Sequence, residues 1–170
     1  MQSSLVLTVL GADRAGLVSS IAEAVKAHQG NWQESRMVHL AGQFAGLAHV
    51  TLPQENVAAL AETLNALQGS GLQILIQHSE APSPRTITPL TLELLGHDRP
   101  GIIHDITSQL AALNVNIEEL ESEQRAAPMS SELLFYAHLT LGLPEGVTAE
   151  DVQGVFEAMP DPLMVDITFS

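Results

Sequence analysis

The chain contains no cysteine and only six basic residues, of which Lys26 is the sole lysine, against twenty acidic ones, so its 170 residues carry a net charge of −14. The absence of cysteine excludes a disulfide framework, a cysteine-ligated zinc site and a thiol nucleophile. The scarcity of cations argues against direct DNA or RNA binding, which draws most of its affinity from Lys and Arg neutralising phosphates. Docking on anionic lipid is disfavoured for the same reason. No apolar run approaches the ~18 residues of a membrane span, and Met1-Gln2-Ser3-Ser4 lacks the positive start of a signal peptide. A soluble, cytoplasmic protein with no membrane partner is expected. Aromatic residues are also few, at 4%, but a 45% hydrophobic content is enough to bury a real core.

What is present is an internal repeat. A shift of 85 residues lays the segment from Leu5 to Ile21 over that from Leu90 to Ile106, with eight identities in seventeen positions; chance gives roughly one or two. The register continues to Asn31 over Asn116, and after an insertion near Ala126-Ala127-Pro128-Met129 it resumes with His49-Val50-Thr51-Leu52 over His138-Leu139-Thr140-Leu141. Two copies of one unit are expected, 1–80 and 88–170, joined by a linker at 81–87 whose prolines suit neither helix nor sheet interior.

Each copy has the same pattern. Alternation at Leu5, Leu7 and Val9 predicts a strand ended by Gly11. Leu17, Ile21, Val25 and His28 then fall at helical spacing, as do Ile102, Ile106, Leu110 and Leu113. Pro100 is expected in the first helical turn, where its missing N–H costs nothing. Strands follow at about 31–40 and 43–52 around a tight turn at Ala41-Gly42, with counterparts at about 116–125 and 131–141. A second helix carries Val57, Leu60, Ala61, Leu64 and Leu67, matched by Val152, Val155, Phe156 and Met159, with Thr148 as its N-cap. The last strands are 72–77 and 164–169. The order βαββαβ, twice, is an α+β arrangement: two tandem ferredoxin-like units, each a four-stranded antiparallel sheet with two helices on one face. The other sheet face is expected to be polar, carrying Thr8, His49, Thr51 and Gln73 in one copy and Glu93, His138, Thr140 and Asp166 in the other.

The candidate site lies at the first strand-to-helix turn, Gly11-x-Asp13-Arg14-x-Gly16 and Gly96-His97-Asp98-Arg99-Pro100-Gly101. The first glycine permits a sharp turn or close backbone approach, and the second, placed in the first helical turn, leaves room for a ligand or another backbone. Free N–H groups and the helix dipole there favour a carboxylate. Asn31 and Asn116 add an amide that both donates and accepts, so that the set suits the two charged groups of an amino acid. The alternative is that the glycines only shape the connection. Arg14 and Arg99 either clamp a carboxylate or are solvated or paired with Asp13 and Asp98.

His97, Asp98, His104 and Asp105 are the one metal-like grouping, but the other copy has Ala12 and Ser19 at the histidine positions, and no metal is expected. Acidity is lopsided: residues 1–85 carry six acids and four bases, residues 86–170 fourteen and two. Glu118, Glu119, Glu121 and Glu123 fall on an expected edge strand, where charge blocks stray pairing or offers a docking surface to a basic partner. There is no Gly-x-Ser-x-Gly elbow and no phosphate-cradling Gly-x-x-x-x-Gly-Lys loop, so neither catalysis nor a cofactor is expected.

The strand, the turn Gly-x-Asp-Arg-Pro-Gly-Ile-Ile and Asn114-Val115-Asn116-Ile117 resemble the ACT-domain family, βαββαβ modules that regulate metabolism by binding amino acids. The resemblance covers nearly the whole chain, with Ala15 for the proline and Gly30-Asn31-Trp32 for Val-Asn-Ile in the first copy. It implies ligand binding at Gly11, Asp13, Arg14, Gly16 and Asn31, and at Gly96, His97, Asp98, Arg99, Gly101 and Asn116, at interfaces of paired domains. Two ACT units without a catalytic domain are similar to the glycine cleavage system transcriptional repressor group. That similarity implies an amino-acid ligand, glycine first, a DNA-binding transcriptional activator as partner, and a homodimer. Alternatives within the resemblance are the regulatory subunit of an amino-acid biosynthetic enzyme and an assembly module without ligand.

Overall fold

The computed structural model describes residues 1–80 and 85–168, and the chain divides into two compact units, Met1–Ser83 and Pro84–Ser170. Residues 81–84 of the expected linker and Phe169 of the expected last strand lie outside the described residues.

The first unit runs β1 (Gln2–Ala12), α1 (Leu17–Ala27), β2 (Asn31–Leu40), β3 (Gln43–Pro53), α2 (Val57–Leu67) and β4 (Leu72–His78). The second repeats it as β5 (Thr88–His97), α3 (Ile102–Ala112), β6 (Asn116–Ala126), β7 (Leu133–Leu143), α4 (Ala149–Glu157) and β8 (Met164–Thr168). Each sheet is antiparallel, ordered β2-β3-β1-β4 and β6-β7-β5-β8. This is the tandem ferredoxin-like fold that the repeat predicts.

Period-two alternation builds one buried face per sheet, and the helices cover it. Leu5, Leu7 and Val9 from β1 meet Ala48, Val50 and Leu52 from β3 and Leu17, Ile21, Leu60 and Leu64 from α1 and α2. In the second unit Leu90, Leu92 and Leu94 meet Ala137, Leu139 and Leu141, closed by Ile106, Leu110, Val152 and Phe156. Burying each such side chain contributes about 1.5–3 kcal/mol before conformational entropy is counted.

Connections follow local chemistry. Ala41 and Gly42 take φ of 50° and 78°, the two left-handed residues that a tight hairpin matched to strand twist requires. Thr148 and Asp151 form a reciprocal capping box on α4. Pro100 differs from expectation: α3 begins at Ile102 with Gly101 as its N-cap, so the proline precedes the helix.

The solvent face of the first sheet is less polar than expected. Thr8, His49, Thr51 and Gln73 share it with Leu10, Val38, Leu47 and Leu75, which are 43%, 60%, 52% and 56% exposed. The corresponding face of the second sheet is acidic: Glu93 pairs across with Asp166 and His138, and His138 with Glu121.

Candidate functional site

Both strand-to-helix turns are built alike. Gly11 lies inside β1, where a Cβ would come 3.0 Å from Gly71 O; at Gly96 it would strike the Leu163 side chain. These two glycines let the last strand pass close by. Gly16 and Gly101 act differently. They are N-caps with φ of 89° and 83°, and a Cβ at either would meet nothing within 4 Å. Glycine is favoured there by backbone conformation, since no other described part of the protein comes close. Neither α1 nor α3 has a side-chain cap; Ile102 N donates to Arg99 O at 3.4 Å, and the remaining first-turn N–H groups face solvent or an anion.

Each turn is tied to its neighbouring hairpin. Asp13 N donates to Gly42 O and Asp98 N to Leu133 O, both at 3.1 Å. The side chains then diverge. Asp13 Oδ2 lies 3.5 Å from His39 Nε2, whereas Asp98 Oδ2 accepts from Gln124 Nε2 at 2.6 Å. His97 Nδ1 faces Glu132 Oε2 at 3.8 Å.

Arg99 pairs with neither solvent alone nor Asp98. Its guanidinium donates to Asp105 Oδ2 at 2.7 Å and lies 3.7 Å from Asp161 Oδ2. The hydrogen bond from Arg99, then that from His104, holds the Asp105 carboxyl below the usual carboxylate range. Arg14 is exposed and makes no ion pair among the described residues, so the freer guanidinium is in the first unit. Gln124, Glu132, Asp161 and His39 were not legible as turn partners, because their proximity is set by strand register for His39 and Gln124, and by the course of the loops before β7 and β8 for Glu132 and Asp161. Among the described residues no group of His, Asp or Glu is placed to hold a metal ion.

The asparagines are not at the turns of their own units. Asn31 pairs with Thr51, which pairs with Ser4, while Gly11 pairs with Phe44 at the other end of the strand. Asn116 pairs with Gly142, opposite Pro89, whereas Gly96 pairs with Phe135. Seven residues of strand, about 23 Å at 3.3 Å each, separate the two ends. Within one unit the expected ligand set is therefore split between opposite ends of the sheet.

Residues 3–77 match the family model described as the ACT domain. The first unit is an ACT domain. The second repeats its sequence and topology. It is 27% identical over 161 residues to the glycine cleavage system transcriptional repressor of Escherichia coli (strain K12), covering 93% of this chain and 84% of that protein. The same identity and coverage hold for the repressor of that name from Shigella flexneri. A crystal structure of an unknown protein from Galdieria sulphuraria matches with a TM-score of 0.86 and 29% identity, covering 100% of this chain and 99% of that one. Another, provisionally named a glycine cleavage system transcriptional repressor, matches in fold with a TM-score of 0.71 at 16% identity, covering 100% and 99%. Among the described residues, no helix is long and apolar enough to cross a membrane.

Proposed function

We propose that this tandem ACT protein is a cytoplasmic, non-catalytic regulator that binds an amino acid, glycine being the first candidate. In this reading it changes its contacts with a DNA-binding transcriptional activator. The observation that carries the reading is the similarity, along nearly the whole chain, to a protein named as a transcriptional repressor. With −14 net charge and six basic residues, contact through a protein partner is more plausible physically than contact with DNA. Homodimer formation belongs to the same proposal.

The turns support the ligand part of the reading. Uncapped first-turn N–H groups at α1 and α3 favour a carboxylate. Arg14 is available to reinforce them. At the second turn Arg99 is already engaged by two carboxylates, so the backbone carries anion recognition there, while Asp98 offers an acceptor to an ammonium group. The ligand shifts the partner equilibrium only by its differential affinity for the free and partner-bound states.

The test is calorimetric titration of the full chain with the twenty amino acids, repeated with Asp13→Ala and Asp98→Ala, followed by capture of partners from lysate with and without the ligand found. Saturable binding weakened in either variant, together with ligand-dependent recovery of a DNA-binding protein, supports the reading. Recovery of a catalytic subunit in its place redirects it to enzyme regulation. Silence of the full panel at millimolar concentration rules out direct amino-acid sensing by the isolated chain.

A further inference from the structure

The first sheet ends on β2 and β4 and the second on β6 and β8, so each of these strands has one side without a partner strand among the described residues. Open edges pair with other chains unless charge, proline or a bulge prevents it. All but β4 carry such a guard. β2 has Glu34 and Arg36 and a bulge between Trp32 and Glu34. β6 has Glu118, Glu119, Glu121 and Glu123 and a bulge between Ile117 and Glu119. β8 has Asp166. β4, Leu72-Gln73-Ile74-Leu75-Ile76-Gln77-His78, has no acid, lysine, arginine or proline, and pairs with β1 without a register shift.

The ladder shows which backbone groups of β4 are open. Ser79 N donates to Ser4 O at 2.9 Å, one step beyond the Leu5–His78 pair. Because bonded and non-bonded pairs alternate in an antiparallel ladder, Gln77, Leu75 and Gln73 turn their amides and carbonyls to β1. Those of Leu72, Ile74, Ile76 and His78 point away from it. The Ile74 carbonyl agrees: it accepts from Gln68 Nε2 at 3.3 Å, and a carbonyl has a second lone pair to offer. The side chains of Leu72, Ile74 and Ile76 lie with the core, whereas Leu75, 56% exposed, is on the open face between Gln73 and Gln77.

This edge reads the same in both directions about Leu75: Gln73-Ile74-Leu75-Ile76-Gln77. Antiparallel pairing of two copies about a two-fold axis at Leu75 sets like against like, the self-complementarity that an isologous contact needs. Leu75 meets Leu75 of the second copy in a non-bonded pair, where side chains come closest. Ile74 meets Ile76 and exchanges both backbone bonds with it, Leu72 does the same with His78, and Gln73 meets Gln77. Charge selects the edge. Leu75 lies opposite Thr8, and its counterpart in the second unit is Asp166, opposite Glu93. A two-fold axis on β8 would set carboxylate against carboxylate, and like charges directly opposite are destabilising. In a chain of net charge −14, β4 is the edge that brings no carboxylates together.

We propose that two copies of the chain associate through β4, edge to edge and antiparallel about Leu75, joining the two first-unit sheets into one. The proposal deepens the homodimer part of the reading above, on which it rests, and names its interface. The contact is one strand wide, so the dimer is concentration-dependent and adds to stability only above its dissociation constant. It leaves the open face of the sheet, with Leu10 and Leu47, uncovered.

The experiment is analytical ultracentrifugation of the full chain over a wide range of concentration, with hydrogen exchange read at both ends of the range and circular dichroism to establish folding. Two double variants at exposed positions test the register. Gln73→Lys with Gln77→Lys sets like charges across the axis, whereas Gln73→Glu with Gln77→Lys sets opposite charges together. Because the chain has no cysteine, Leu75→Cys gives one thiol on the axis, to be oxidised with diamide, and Leu47→Cys on the same face is its control. The expected result is a monomer–dimer equilibrium whose dissociation constant rises about tenfold or more in the double-lysine variant and stays near wild type in the charge-paired one. Exchange at the Ile74 and Ile76 amides slows with concentration, and Leu75→Cys cross-links into a dimer while Leu47→Cys does not. A dimer unchanged by the double-lysine variant and not cross-linked by Leu75→Cys overturns the β4 interface and leaves the homodimer reading standing. A monomer across the whole range overturns both. Association that grows past the dimer overturns the closed pair and makes β4 a template for aggregation.

Discussion

Arg99 bonds forward along its own chain to Asp105, six residues away and 2.7 Å distant, and not to the adjacent Asp98. The pairing staples the β5–α3 turn to the first turn of α3, and Asp161 draws the loop before β8 towards the same guanidinium. It also leaves Asp98 to Gln124.

The Arg99–Asp105 pair makes stability depend on acid pH. Because the folded pKa of Asp105 is depressed by Arg99 and then His104, the ionised carboxylate is the stabilising form. Its contribution is present in full above the unfolded value, about 3.9, and is lost as pH falls through the lower folded value. Asp105→Asn should therefore lower the melting temperature at pH 7, and the gap from wild type should shrink below about pH 4. Thermal melts across that range check it; a gap that widens in acid contradicts the assignment.

Gly101 should be sensitive to its φ of 83° and not to crowding, since nothing lies within 4 Å of a Cβ there. Gly101→Ala is expected to cost about 1–2 kcal/mol through the left-handed backbone alone. Gly101→Asn should cost less, because asparagine visits that region more readily. Urea unfolding of the two variants measures the difference.

Gly46 is the contrasting position. A Cβ there would lie 2.4 Å from Arg36 O, a backbone atom of the paired strand. Gly46→Ala should destabilise by more than Gly101→Ala, and hydrogen exchange should show the loss concentrated in β2 and β3.

Phe156 is fully buried on α4 and is among the largest core side chains. Phe156→Ala should cost about 3–5 kcal/mol, combining lost burial with a cavity. Denaturant unfolding gives the magnitude, and exchange protection in α3, α4 and β5 to β8 locates it.

The exposed apolar face of the first sheet should behave as surface. Leu47→Lys and Leu75→Lys, at positions 52% and 56% exposed, should each change unfolding free energy by less than about 0.5 kcal/mol. Both should reduce binding of a hydrophobic dye. Unchanged dye binding would mean that the face is covered in solution.

Element identity was legible because it follows short-range periodicity. Alternation around Leu5, Leu7 and Val9 and helical spacing at Ile102, Ile106 and Leu110 have one physical solution each: a strand and a helix with a single apolar face. The repeat then doubled every inference. Glycines marked the turns, but their two roles were not separable in sequence. Gly96 answers to a neighbouring leucine, whereas Gly101 answers to its own φ.

The sequence by itself determined the two βαββαβ units, their cores, the capped start of α4 and the excess of acid in the second half, since each depends on residues a few positions apart or on composition. Only the tertiary structure decided that Asn116 lies opposite Gly142, at the far end from Gly96, and that a bulge turns Glu118 beside it. Only there, too, do Leu10, Leu47 and Leu75 from three strands come together on one solvent face. The reason is register. Strand pairing brings together residues tens of positions apart, and a slip of one position reverses which face a side chain occupies. That information lies in the packing of the whole sheet and in no local stretch of the chain.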